Sequence, residues 1–222
     1  MSDHKYTMSI NINVLNHLGI NLYSNIPAVL SEIVANSWDA DAENVHVVFG
    51  DDKTITIADD GVGMPLEDIN NKFLLVGHPK RENNNILSIR HQRLYMGRKG
   101  IGKLSMFSIA KTIDVITRKD EQINAFRMNV DAITRAIKGD GNSYNPEPID
   151  VAEDVLSSDG TKIILRDLKR NISKATPDYI RKRIARRFSV IGTEYKFRVY
   201  VNGSEVSIED RDYYEKLNLI EK

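Results

Sequence analysis

The chain has 222 residues, 28% charged and 41% hydrophobic, with 31 basic side chains balanced by 31 acidic ones. That length admits one large domain, or an ordinary one with part of a second, and the balanced charge supplies no global field for an acidic or nucleic-acid partner. Cysteine is absent, which excludes disulfides, thiolate metal sites and cysteine nucleophiles, and His4, His17, His46, His78 and His91 show no metal-ligand spacing. With no leader-like start and no apolar run of membrane-spanning length, the expectation is a soluble, cytoplasmic protein.

In chain order, Ser24 or Asn25 is placed to cap a helix that carries Pro27 in its first turn and runs to about Ser37, with Ile26, Val29, Leu30, Ile33 and Val34 on its apolar face. The alternating stretches "NVHVVF" and "KTITIAD" read as strands joined by a tight turn at Gly50. A second helix is expected from Leu66 to Val76, and the polar segment up to Gly100 reads as a long mobile connection of the kind that forms functional lids. A helix is expected again from "IGKLSMFSIA", followed by strands at "TIDVIT" and "INAFRMNV", a loop at "GDGNSYNPEP" and a strand at "GTKIILRDL". Thr176 and Pro177 open an amphipathic helix to about Val190, and Asn202-Gly203 marks a hairpin.

Three segments combine polarity with unusual spacing. Glu32 and Asn36 are four residues apart on one helix face, with Asp39 a further turn away, a stripe that by itself fits a solvated face. "DDGVGM", Asp59 to Met64, places carboxylates and two glycines at a strand end, where a tight turn is the plain explanation. "GRKGIGKLS", Gly97 to Ser105, brings glycines to a helix start, where backbone amides can approach a phosphate. It is not a P-loop, because Leu104 follows Lys103 where that motif needs Ser or Thr, and no strand precedes it as in the dinucleotide fingerprint.

Taken together, "EIVANSWDA", "DDGVGM", "GRKGIGKLS" and "GTKIILRDL" resemble, in order and spacing, the four ATP-site motifs of the GHKL superfamily: gyrase B, the ninety-kilodalton heat-shock chaperone, histidine kinases and MutL. The resemblance covers roughly Ile26 to Val190, and its wording is nearest to MORC-like and chaperone-like prokaryotic ATPases. It implies an α/β two-layer sandwich, of the Bergerat type, with a mixed, mainly antiparallel sheet and helices on one face. It implies a Mg2+ and ATP site in which Glu32 is the general base, Asn36 the magnesium ligand and Asp59 the acceptor of the adenine amino group. Gly61, Gly63 and Met64 would lie along the base, and Thr161 would assist through Asp59. Gly97, Gly100, Ile101 and Gly102 would wrap the phosphates, with Lys103, and less so Lys99, as phosphate contacts. Asp39 would sit near the adenine side, or simply end the helix.

The expected organisation is an N-terminal segment 1–25 that could strap a dimer, an ATP-binding domain 26–205, and an extension 206–222 leading to a further domain. The function that follows is ATP binding with slow hydrolysis driving a conformational or dimerisation switch. Residues 1–25 are too short for a phosphoacceptor hairpin, which places a histidine-kinase role behind it. A second reading is a nucleotide-sensing, nucleic-acid-binding module, resting on Lys169, Arg170, Lys174, Arg181, Lys182, Arg183, Arg186 and Arg187; the same stretch also fits a solvated amphipathic helix with Ile180, Ile184 and Phe188 inward.

Overall fold

The computed structural model describes residues 5–9, 26–75, 87–97, 102–138, 143–169 and 176–211. Helix α1 (Ile26–Asp39) buries Val29, Leu30, Ile33, Val34 and Trp38. It runs a half-turn beyond the expected end and closes in a Schellman motif, in which Ala42 N–H bonds Ser37 C=O at 3.0 Å and Asp41 N–H bonds Trp38 C=O at 3.1 Å. Asp41 occupies the left-handed position, φ 59°, that glycine usually takes.

Strands β2 (Asn44–Phe49) and β3 (Ile55–Asp59) form the hairpin that their alternation predicts. After a two-stranded pair made by β1 (Met8–Ser9) and β6 (Ser143–Tyr144), the remaining strands build one eight-stranded sheet. Its members are β2, β3, β4 (Ala110–Lys119), β5 (Gln122–Asn129), β7 (Glu147–Pro148), β8 (Gly160–Leu168), β9 (Arg198–Val201) and β10 (Ser204–Glu205). The order is β10-β9-β2-β3-β8-β4-β5-β7, antiparallel throughout except for the parallel β2/β9 pair. A mixed, mainly antiparallel sheet was the expected architecture. Asn202 and Gly203, with φ of 46° and 80°, make the final hairpin turn.

Register places Val47, Ile57, Ile163, Val115 and Phe126 side by side across five strands, all buried. Because side chains alternate along a strand, the residues two positions away share that face. The same face packs under α1 and α4 (Thr176–Arg187), whose Ile180, Ile184 and Phe188 are buried as expected. Tyr6 and Met8 join this core from the N-terminal segment, Tyr6 lying 4.8 Å from the Phe126 ring. On the other face Asp114 is buried between Arg127 and Arg166, which hold its carboxylate below the usual range against the opposing pull of burial. Among the described residues no helix is long and apolar enough to cross a membrane.

Several local expectations are corrected. Over its described residues, 66–75, the helix expected at Leu66–Val76 is a single turn, α2 (Leu66–Asp68), running into a π-helical turn, Ile69–Phe73, with Leu74 N–H bonded to Ile69 C=O at 2.7 Å; Val76 lies outside the described residues. The wide turn lets Ile69 and Leu74, five residues apart, both be buried. "GKLSMFS" is a 3-10 helix, Gly102–Ser108, rather than an α-helix; Ser108 folds its hydroxyl back onto Ser105 C=O at 2.6 Å. Helix α3 (Val130–Lys138) has no separate sequence signal, because the alternation of β5 runs straight into it. Its cap is Asn129, whose side-chain oxygen accepts the N–H groups of Asp131 and Ala132 at 3.0 and 3.1 Å. The "GDGNSYNPEP" loop contains β6 and β7.

Candidate nucleotide site

Two positions beyond the apolar row, the same sheet face changes character. Val45, Asp59, Thr161, Thr117 and Asn124 lie in register across β2, β3, β8, β4 and β5, so beyond the buried Val45 the core passes into a row of four polar residues. Asp59 is half-buried at the end of β3, beneath α1. Ser37, from α1, donates its hydroxyl to Asp59 Oδ2 at 2.8 Å, and Gly61 N–H donates to Oδ1 at 3.1 Å. Burial pushes the Asp59 carboxyl up; Ser37 and Gly61 counter it, the neighbouring Asp60 charge adds to it, and the net value is about 6.

The adjacent carboxylate does different work. Asp60 accepts the backbone N–H groups of Glu43 and Asn44 at 2.7 and 2.8 Å and the Asn44 side-chain amide at 2.7 Å, fixing the start of β2. One carboxylate of "DDGVGM" is therefore structural, and the other faces the site.

Gly63 has φ 62°, and a Cβ there would lie 1.9 Å from the Arg118 carbonyl oxygen. Only glycine lets this turn rest against the end of β4. Met64 is then held by its N–H, which donates to Thr117 Oγ1 at 2.9 Å, while Thr117 Oγ1 donates to Gly160 C=O at 3.0 Å and lies 3.3 Å from Thr161 Oγ1. Thr117 is fully buried and links Met64 to Thr161, two residues named from sequence. Gly61 is also closely set, with Val62 N–H bonded to Ala40 C=O at 2.9 Å.

On α1, Glu32 and Asn36 are both partly buried, one turn apart. Glu32 Oε1 accepts from Arg187 Nη2 of α4 at 2.8 Å. Helix α1 packs against the 3-10 helix that begins at Gly102 as well as against α4. Gly100, Ile101 and Lys99 lie outside the described residues, as does the Lys103 side chain.

The described part of the expected lid, 87–97, is pinned rather than free. Asp41 accepts the Ser88 hydroxyl and the N–H groups of Arg90 and His91, the latter two at 2.7 and 3.2 Å. Trp38 Nε1 donates to Leu94 C=O at 2.9 Å, and Asp39 accepts the N–H groups of Met96 and Gly97 at 2.7 and 3.0 Å. Arg93 is buried, stacks 4.5 Å from the Trp38 ring centroid, and donates to the carbonyls of Ala42, Tyr195 and Lys196. "WDADA" is thus an anchor: it delivers Gly97 to a fixed place beside the end of α1. The sequence signal was the pair Asp39 and Asp41 at a helix end, where basic residues are normally favoured.

The basic stretch divides in the same way. Lys169 donates to Phe107 C=O at 2.6 Å and Arg181 pairs with Asp210 at 2.9 Å, so both tie the fold together. Arg170 and Lys174 lie outside the described residues.

A family model described as "Histidine kinase-, DNA gyrase B-, and HSP90-like ATPase" matches residues 23–161. A protein of Herpetosiphon aurantiacus named "Putative type II restriction enzyme HgiDII" is 42% identical over 222 residues, an alignment covering 99% of this chain and 35% of that protein. The chaperone protein HtpG of Francisella tularensis subsp. tularensis (strain FSC 198) is 26% identical, covering 98% of this chain and 37% of its own, and that of Helicobacter pylori is 28% identical, covering 74% and 28%. The chain thus spans between 28% and 37% of the length of these curated relatives. With the matched segment holding α1, the Asp59 turn and the start of β8, the chain belongs to the family of histidine kinase-, DNA gyrase B- and HSP90-like ATPases.

Proposed function

We propose that the chain is an ATP-binding module that hydrolyses ATP slowly, with Mg2+, to drive a conformational or dimerisation switch within a larger protein. The observation that carries the reading is the half-buried Asp59 carboxyl, set in the polar row with Thr161 and Thr117. A carboxyl that burial has pushed up to about 6 gains from one further donor, and the adenine amino group supplies one. Guanine presents a carbonyl at that place and would leave Asp59 uncompensated.

Among the described residues no three His, Cys, Asp or Glu side chains cluster to hold a metal. That fits a cation held mainly by nucleotide phosphates and a single side-chain oxygen, for which Asn36 is the candidate. Such a cation neutralises phosphate charge when bound. Glu32, one turn away on α1, is the candidate to accept a proton from the attacking water. Gly97 and Gly102 bracket the segment whose backbone amides would meet the phosphates.

Nucleic acid is the partner best matched to the remaining arginines of α4, and the relative named as a restriction enzyme gives that reading weight. Calorimetric titration with ATP and GTP in the presence of Mg2+ tests the central reading. ATP alone should bind tightly, Asn36→Ala should lose the Mg2+-dependent share of the affinity, and Glu32→Ala should bind ATP while losing roughly 10²–10⁴-fold in turnover. Equal binding of GTP would overturn the assignment of Asp59, and native turnover in Glu32→Ala that of the base.

A further inference from the structure

Between the first turns of α1 and the last turns of α4 lies an open cleft of about 360 Å³ lined by Pro27, Ala28, Ser31, Arg183, Arg186 and Arg187. Among the described residues its lining includes three arginines and no acidic residue, Arg186 also donating its Nε to the Arg211 carbonyl at 3.2 Å. Residues 183, 186 and 187 lie at i, i+3 and i+4 on one helix face and rise about 6 Å along it, a span comparable to two successive phosphates of one nucleic-acid strand. Arg183 stacks 5.3 Å from the ring centroid of Tyr179, an exposed aromatic at the same helix face.

Arg187 has a second role in this wall. Its Nη2 lies 2.8 Å from Glu32 Oε1, joining two helices through residues 155 positions apart in sequence. The bond holds one Glu32 carboxylate oxygen against Arg187 and draws the side chain toward α4, away from any other partner it would have to reach. The contact is half open to solvent, the Arg187 side chain being 49% exposed and Glu32 24%. Ion pairs this exposed bias their partners by at most about fivefold. A phosphate offering bidentate acceptors competes on equal terms for the same guanidinium.

We propose that Arg187 latches Glu32 and that a nucleic-acid phosphate backbone seated in the arginine cleft opens the latch, so that ATP turnover rises when nucleic acid binds. The inference rests on Glu32 being the base, and it adds the ligand and the coupling. The cleft reads phosphate geometry rather than sequence, so duplexes of unrelated sequence act alike, and raised salt abolishes the effect.

The test is phosphate release from ATP by the whole chain, at low salt, with duplex DNA, with inorganic phosphate alone, and with polyglutamate. The native chain should gain about two- to fivefold with DNA, and little with free phosphate or polyglutamate. Arg187→Ala should show the raised rate without DNA and no further gain, with ATP affinity unchanged by calorimetry; Arg187→Gln serves if the alanine variant does not fold. Arg135→Ala, which removes an exposed cation from α3, should behave as the native chain. An Arg187 variant that binds ATP but turns over at or below the native rate overturns the latch, as does DNA stimulation persisting in that variant, or stimulation by polyglutamate with DNA silent. Glu32→Gln separates the two levels: native turnover in that variant sinks the base assignment itself, whereas lost turnover beside a silent Arg187→Ala sinks only the latch.

Discussion

The Ser37 hydroxyl lies 2.8 Å from the Asp59 carboxylate and bridges α1 to the end of β3. It partly offsets the burial that pushes Asp59 up to about 6, leaving a carboxyl that titrates just below neutral pH. The ionised form is the one that accepts from an adenine amino group. ATP affinity should therefore be constant above about pH 7 and weaken by about tenfold per unit below pH 6, with a proton released on binding near pH 6. Calorimetry in buffers of different ionisation heat measures both; affinity flat from pH 7 to pH 5 would contradict the assignment.

The same carboxyl makes the nucleotide-free fold less stable at neutral pH. A group whose folded value, about 6, exceeds its unfolded value of 3.8 binds more protons when folded, so its contribution is present below the unfolded value and is lost as pH rises through about 6. Asp59→Asn keeps the shape, removes the charge and should stabilise the empty protein at pH 7.5 by on the order of 1–3 kcal/mol while weakening ATP by a similar amount. Thermal melts without nucleotide and titrations with it should move in opposite directions. A fall in both would mean that Asp59 serves the fold alone.

Gly63→Ala isolates the geometry of the turn. The added Cβ would meet the Arg118 carbonyl oxygen at 1.9 Å, so backbone must shift, whereas Gly203→Ala meets nothing within 4 Å and carries only the strain of φ 80°. The first should cost clearly more than the second, whose cost is about 1 kcal/mol, and should remove ATP binding as well. Equal losses in urea unfolding would show that the turn has room to adjust.

Thr117→Val deletes one buried hydroxyl of matched shape and leaves Met64 N–H without its acceptor. The expected cost is about 1–3 kcal/mol in stability, with ATP affinity falling because Met64 and Thr161 lose their common partner. Thr117→Ser should restore most of both. Rescue by serine in neither measurement would assign Thr117 to packing.

The difference between what sequence disclosed and what it did not follows from range. Helix α1 and the β2/β3 hairpin carry their periodicity within a few residues, and Asp59, Gly63 and Thr161 sit in motifs whose order makes them candidates. Thr117 and Ser37 look like ordinary strand and helix residues, because their role appears only when β4 is paired with β8 and α1 is laid over β3. Helix α3 was hidden because β5 passes into it with no loop, and the 3-10 helix because its apolar residues also fit a helical pattern. The polar composition of 87–97 suggests mobility, whereas what holds it is a set of carboxylates from around the end of α1 and the guanidinium of its own Arg93.

Asp41 decides how far that segment is held. It is nearly inaccessible to solvent, and burial would raise its carboxyl, but the Ser88 hydroxyl, the Arg90 and His91 amides and the nearby His91 keep it below the usual value. A carboxyl held down contributes stability above its unfolded value that is lost as pH falls, so the segment should loosen in acid before the sheet does. Two substitutions separate the side chain from the backbone. Asp41→Ala removes the acceptors and keeps the strained left-handed conformation at φ 59°, whereas Asp41→Gly removes the acceptors and the strain together. Both should speed amide exchange at Arg90 and His91, whose donors point at this carboxylate, while leaving the β4/β8 ladder protected. The glycine variant should be the more stable of the two by about 1 kcal/mol, the cost of the left-handed backbone. Met96 and Gly97 remain tied to Asp39 in both, so ATP affinity should fall less than in Asp39→Ala, which frees the approach to the glycine segment itself. Unchanged exchange at Arg90 and His91 in either variant would mean that Trp38 and Arg93 hold the segment without Asp41.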